Sequence, residues 1–368
     1  MLKSYALLSK KTFLNSKRTG GRPSFRFVLF FCAYALLLGS ASMSLSFEIK
    51  RVGEHIILQS PTCRENLDFI QSLNSLSENL GQKSKCSSKF GIGFSFAENS
   101  CSSSIETCLP DKMAHLVSIY PEIQGPNCFN LSLVMSQVLQ SIRYSPPEEL
   151  AFYIKSPLCR MLENSEKREA GDLGVMYFSS KKPVEEYHAF VYLSETLGFS
   201  KNGDGTLKRS SFSLQSLDKI YDTYDIPTEP QCQQNKLKQP SSCGQAVSYV
   251  RCRSLASYLA QRPELSREIR EIYEQTIDFE KQLEVHLLYN VALPEAALRS
   301  LLRASVRLKK LIVATKKLES KNSADRWFMI QIIQMHFFGI SEQLSPPFVE
   351  ESQFKKWMQK IAPKKPFP

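Results

Sequence analysis

The chain has no internal repeat, few histidines, no acidic residue in its first 45 positions and only one apolar run approaching the length of a bilayer span. Each absence narrows the reading. Without repeats, or a collagen or coiled-coil bias, the composition is that of an ordinary globular protein: 42% hydrophobic and 23% charged over 368 residues, enough for two or three domains. The second apolar stretch, WFMIQIIQMHFFGI near the C-terminus, falls short of the ~20 residues a spanning helix needs and reads as a core helix. Histidines 55, 115, 286 and 336 have no partners at metal-ligand spacing and are expected in core or surface roles. With no histidine among the clustered cysteines either, no metal or cofactor is expected.

The absence of acid at the N-terminus explains most of the net charge of +11. Lys3, Lys10, Lys11, Lys17, Arg18, Arg22 and Arg26 lie there unopposed, and the rest of the chain keeps an excess of only +4. So mild an excess does not call for nucleic acid as a partner. The basic segment precedes FVLFFCAYALLLG (Phe27–Gly39) and the small residues SASMS, the pattern of a signal peptide over 1–44; an uncleaved anchor is the alternative. Either way the remainder is expected outside the cytosol, in a periplasmic or extracellular space. Ten cysteines agree with export. Cys32 belongs to the targeting segment and the other nine are an odd number, so disulfides are expected together with at least one free thiol.

Behind the targeting segment, alternation over residues 47–62 predicts a strand, and residues 63–110, Ser-rich with four cysteines, predict a loop-rich region held by disulfides (a Cys-rich segment over 45–111). Residues 112–252 mix helix and strand. NLSLVMSQVLQSI has helical spacing over 130–142, capped by Asn127 or Asn130. GDLGVMYF enters a strand at a turn, YHAFVYL and LGFSKNG form a hairpin about residues 194–196, and NGDG marks the next turn. NGDGT echoes part of a calcium loop but lacks the other ligands, so a turn is the expected role. Residues 207–252 carry three cysteines and are expected to hold bridges. Residues 253–368 turn to helical periodicity: one helix entered near Pro263, a second from Pro294 toward Leu318, and a third from near Ser323 to Gly339 as its cap. The fold class expected is α+β: a helix on an antiparallel sheet, a disulfide-rich N-terminal region, and an all-α C-terminal bundle. Arg299, Arg303, Arg307 and Lys310 share a face of the second of these helices. Such faces are usually solvated; contact with an anionic polymer or lipid is the minor option.

Cys128, in GPNCFNLSL, sits at a helix entrance, where backbone N–H groups favour a thiolate. A nucleophilic thiol also needs a base and a group to orient that base. His188 shares a strand face with Phe190 and Tyr192. With the hairpin turn near Glu195 and Thr196 it lies opposite residues 202–203, which places Asn202 to hold the imidazole. Asp172 in GDL reads as a turn or structural residue.

The order Cys at a helix start, GDL strand, HAFVYL strand and a polar residue on the next strand resembles the papain-like fold over roughly residues 112–225. It is most similar to NlpC-type cell-wall peptidases; HAFVYL also looks like the histidine strand of transglutaminase-like proteins. The resemblance implies a triad of Cys128, His188 and Asn202, with Asp204 in the third place if the turn shifts. It also implies cleavage of amide bonds, in peptides or peptidoglycan stem peptides; on that reading the Cys-rich N-terminal and helical C-terminal regions are expected to shape the groove or dock on a cell-wall or protein partner. The sequence departs from the NlpC pattern at the nucleophile, where Asp-Cys-Ser-Gly is replaced by Asn127-Cys128-Phe129-Asn130, and at the third residue, commonly histidine. A rival reading is an exported, non-catalytic binding or scaffold protein on the same fold, with Cys128 bridged to Cys159 or Cys108.

Overall fold

Gly53, at φ 62°, divides the stretch expected as one strand. The chain reverses there into a hairpin of β1 (Glu48–Val52) and β2 (His55–Ser60), closed by the pairing of Val52 with His55. The computed structural model describes residues 48–53, 55–79, 95–97, 100–178, 185–203, 205, 211–224, 245–263, 265–316 and 323–344, all of which belong to one compact unit. The expected signal segment, Cys86, Asp204, Cys232 and Cys243 lie outside the described residues.

β3 (Ser95–Ala97) and β4 (Ser100–Ser104) extend the hairpin into an antiparallel sheet in the order β1-β2-β4-β3. The loop-rich expectation for residues 63–110 fails, because α1 (Cys63–Asn79) runs for 17 residues there. Its start is a capping box in TCRE: the Glu65 N–H donates to Thr62 Oγ1 at 3.3 Å, and the Thr62 N–H to Glu65 Oε2 at 3.1 Å. Phe69, Ile70, Leu73 and Leu76 form its buried stripe. A disulfide from Cys63 to Cys101 fastens the head of α1 to β4, and a second joins Cys159 to Cys252. Cys108 is disulfide-bonded as well. With sequence separations of 38 and 93 between their partners, the first two bridges each restrict the unfolded chain by roughly 4–5 kcal/mol.

The second sheet is antiparallel, in the order β5-β10-β6-β7-β8-β9, from β5 (Cys159–Met161), β6 (Leu173–Phe178), β7 (Glu185–Ser194), β8 (Leu197–Lys201), β9 (Phe212–Ser216) and β10 (Gln245–Cys252). Short helices α2 (Asp111–Leu116), α3 (Cys128–Met135), α4 (Pro147–Ile154), α5 (Leu217–Thr223) and α6 (Leu255–Ala260) are interspersed. α3 packs on β7 and β8. It is shorter than the helix expected over 130–142: it stops at Met135, and Gln137 takes a left-handed φ of 60°. The β7 residues Ala189, Val191 and Leu193 face the main core with α3. Phe190 and Tyr192 face a second, smaller core with Met176, Leu217, Ile220 and Tyr249. The chain is thus an α+β fold built on antiparallel sheets.

The three expected C-terminal helices are present: α7 (Arg267–Tyr289), α8 (Glu295–Lys316) and α9 (Ser323–Gln343). Gly339 does not cap the third, which continues to Gln343. A Cβ at Gly339 would lie 2.1 Å from Arg143 Nη1, so glycine there admits a guanidinium against the helix backbone. Arg143 is fully buried. It binds Glu149 through two nitrogens at 2.6 and 2.7 Å and Glu280 of α7 at 2.6 Å; Glu280 in turn meets His336 Nδ1 of α9 at 2.9 Å. Burial alone would raise the Glu280 carboxyl, but Arg143 and His336 hold it below its ordinary range. Removing the cation strands two carboxylates in the core, a loss of about 3–5 kcal/mol for such a pair. Arg143→Met should therefore lower the free energy of unfolding in denaturant by that much. A change below about 1 kcal/mol would place little stability in this cluster.

Candidate functional site

Asn127 builds the start of α3. Its Oδ1 accepts the Asn130 N–H at 3.1 Å, the N-cap bond, and its Nδ2 donates to the Ser145 carbonyl at 2.8 Å. Asn130 Oδ1 accepts the Arg143 N–H at 3.0 Å, and its Nδ2 reaches the Ser141 carbonyl at 3.3 Å. The two asparagines flanking the thiol thus anchor the 141–145 loop, which gives the Asn-Cys-Phe-Asn sequence a structural role. Gly125 precedes them at φ 139°, against the Gln343 side chain.

Cys128 is the first residue of α3. It is buried, and it is the free cysteine among the described residues. The bridge of the rival reading is therefore absent, and Cys159 is taken by Cys252. The backbone N–H of Ala189, the residue after His188, points at the sulfur, as do those of Phe129 and of Cys128 itself. Burial nevertheless pushes the thiol up to about 11, against the lowering by these amides and by Lys201. Lys201 is buried and donates to the carbonyls of Gly203 (2.8 Å) and Gly205 (3.2 Å), so the NGDG loop closes around a lysine ammonium.

His188 lies one residue from the amide that meets the sulfur, on β7, where the pairing with β6 shifts register between Glu186 and His188. It is fully buried and stacked on Tyr224, with ring centroids 3.8 Å apart and planes at 20°. Neither ring nitrogen has a hydrogen-bond partner, and burial pushes the imidazole down to about 3. The pairing of Val191 with Phe199 and of Tyr192 with Gly198, carried on, sets Asn202 across from His188 as the hairpin predicts. The Asn202 side chain, however, accepts the Tyr224 hydroxyl at 3.3 Å. The three expected residues are brought together around Tyr224 without hydrogen bonds among them. Asp204, the alternative third residue, lies outside the described residues.

Direction identifies the state. Burial raises the thiol and lowers the imidazole, so both shifts keep the proton on sulfur. The site holds a neutral thiol and a neutral imidazole. Tyr224 was missed by sequence reasoning. It closes α5, whose Ser216 cap in SLDK is legible, but only tertiary packing lays its ring on His188.

The remaining candidates are engaged elsewhere. Asp172 is buried and accepts Arg251 at 2.8 and 2.9 Å, a structural role. His55, His115 and His286 meet Glu106, Tyr289 and the Val291 carbonyl. On the basic face of α8, Arg299 pairs with Glu295 and Arg307 with Glu271. A cavity of about 440 Å³, lined in part by Gln137, Asp172, Arg251 and Arg253, opens beyond the C-terminal end of α3, ~12 Å of helix away from Cys128. Among the described residues there is no cluster of metal-ligating side chains, and no helix is long and apolar enough to cross a membrane. No family model, no curated protein and no solved structure matches the chain.

The buried imidazole predicts an acid-linked loss of stability. An unfolded histidine titrates near 6.5 and His188 near 3, so below pH 6.5 the unfolded chain binds one more proton. The contribution is complete above about pH 6.5 and is lost as pH falls toward about 3. His188→Phe should flatten the slope of unfolding free energy between pH 6 and pH 4 by up to ~1.4 kcal/mol per pH unit. Parallel slopes for the two proteins in denaturant titrations would show that His188 does not carry it.

Proposed function

We propose that the protein is an exported cysteine peptidase or amidase on a papain-like scaffold, seen in a closed state. One observation carries the reading: an unpaired thiol at the start of α3, with backbone N–H groups turned on its sulfur, lies against the strand that bears His188. Cys128 Sγ attacks an amide carbonyl, forming the S–C bond as His188 takes the thiol proton. His188 then passes that proton to the leaving amine as the C–N bond breaks. Water, deprotonated by His188, cleaves the thioester, releases the acid and restores the thiol. The Cys128 N–H at the helix start helps hold the oxyanion, and Asn202 orients the imidazole once both are released from Tyr224. The substrate class is the peptide amide, with peptidoglycan stem peptides as its cell-wall form. The basic leader and the disulfides support export.

The lack of a hydrogen bond between thiol and imidazole, both held neutral by burial, favours a second reading, an exported binding or scaffold protein that keeps the fold without the chemistry. Cys128→Ala decides between them. Hydrolysis of muropeptides or peptide amides by the purified protein should be lost in the variant with its fold intact. No hydrolysis by either protein, or equal hydrolysis by both, leaves the scaffold reading.

A further inference from the structure

We infer that Tyr224 is a latch that keeps the Cys128–His188 site inactive, and that its displacement switches the site on; this rests on the hydrolase reading above. Tyr224 touches two parts of the candidate triad and lies within electrostatic reach of the third. Its ring covers the His188 imidazole at 3.8 Å, nearly parallel, which shields the base from water. Its hydroxyl occupies Asn202 Oδ1 at 3.3 Å, the acceptor that would otherwise take an imidazole N–H. Burial holds this phenol above its ordinary range, and a negative charge on Cys128, were it to form, would be felt there.

One residue thereby accounts for two otherwise separate features: a buried imidazole with two unpartnered nitrogens and an orienting amide turned to another partner. A permanently structural tyrosine would explain the packing, but it would leave the His188 nitrogens unsatisfied to no end. The position suits a movable part. Tyr224 is half-buried and is the C-cap of α5, a helix of 7 residues, so its ring can leave without unravelling a sheet. When it leaves, water reaches the imidazole, Asn202 is released, and thiol and imidazole move toward their ordinary pKa values, where an ion pair comes within reach. Tyr224 acts through His188 and Asn202, and is a positioning residue rather than a catalytic one.

The test uses the mature chain with its disulfides intact, comparing wild type with Tyr224→Ala and Tyr224→Phe. Two readouts are independent of hydrolysis: the rate of Cys128 carbamidomethylation by iodoacetamide, followed on its own peptide by mass spectrometry, and the titration of the His188 ring by NMR. In Tyr224→Ala the alkylation rate at neutral pH should rise by up to about a hundredfold, the gain in thiolate when a thiol near 11 returns to the ordinary 9. The imidazole should titrate well above about 3, toward 6.5. Tyr224→Phe keeps the stacked ring, loses only the bond to Asn202, and should fall between the two. Alkylation and His188 titration unchanged in a folded Tyr224→Ala would overturn the latch. If that variant does not fold, Tyr224→Phe alone decides: both readouts equal to wild type count against the latch, and faster alkylation supports it. An opened site that still hydrolyses no muropeptide or peptide amide would uphold the latch and remove the hydrolase reading.

Discussion

The position of Cys128 depends on a charge buried where no water reaches. Arg143 sits at zero exposure between Glu149 and Glu280, and its nitrogens also hold the Tyr144 carbonyl at 2.7 Å. Such a group is tolerable only if every donor is spent, and that demand organises its surroundings. The 141–145 loop must stay in place, so Asn127 and Asn130 bind it, and they in turn define the first turn of α3. α9 must approach closely, so residue 339 has no side chain. α7 must deliver Glu280 and, four residues on, Glu284, which accepts the Ile142 N–H at 3.0 Å and Lys112 at 2.7 Å. The C-terminal helices are therefore part of the support of the thiol: one core runs from Ile56 to Leu344.

Burial works against chemistry at the start of that same helix, α3. The position of Cys128 offers what a thiolate needs: a helix start, three backbone amides and a lysine nearby. Desolvation outweighs them and the sulfur remains a thiol. The same effect neutralises His188. A site that is fully enclosed and fully neutral is stable at rest and idle. The aromatic ring of Tyr224 packs against the small second core and at the same time covers the His188 imidazole.

Much of this was legible locally. The hairpin of β7 and β8 followed from alternation and from the turn at residues 194–196, and its register followed with it, so the placement of Asn202 across from His188 needed no structure. The three long C-terminal helices followed from their apolar stripes. The misreadings have specific causes. The glycine that splits β1 from β2 was passed over within an alternating run. Cysteine and serine density hid α1, although the TCRE capping box announces it. Gly339 was taken for a helix end because a glycine that makes room for a distant arginine looks the same in one dimension. Residues 136–142 kept helical spacing while their backbone turned away at Gln137 to meet α7.

The sequence by itself determined the β7–β8 hairpin, the three long C-terminal helices and the order Cys128–His188–Asn202, because propensity, alternation and turn chemistry act over a few residues. Only the tertiary structure decided that Cys128 is unpaired, that Tyr224 covers the imidazole, and that both titratable groups are neutral. Those outcomes depend on which distant side chains exclude water from the sulfur and the ring, and desolvation is a property of the assembled core rather than of any short stretch of chain.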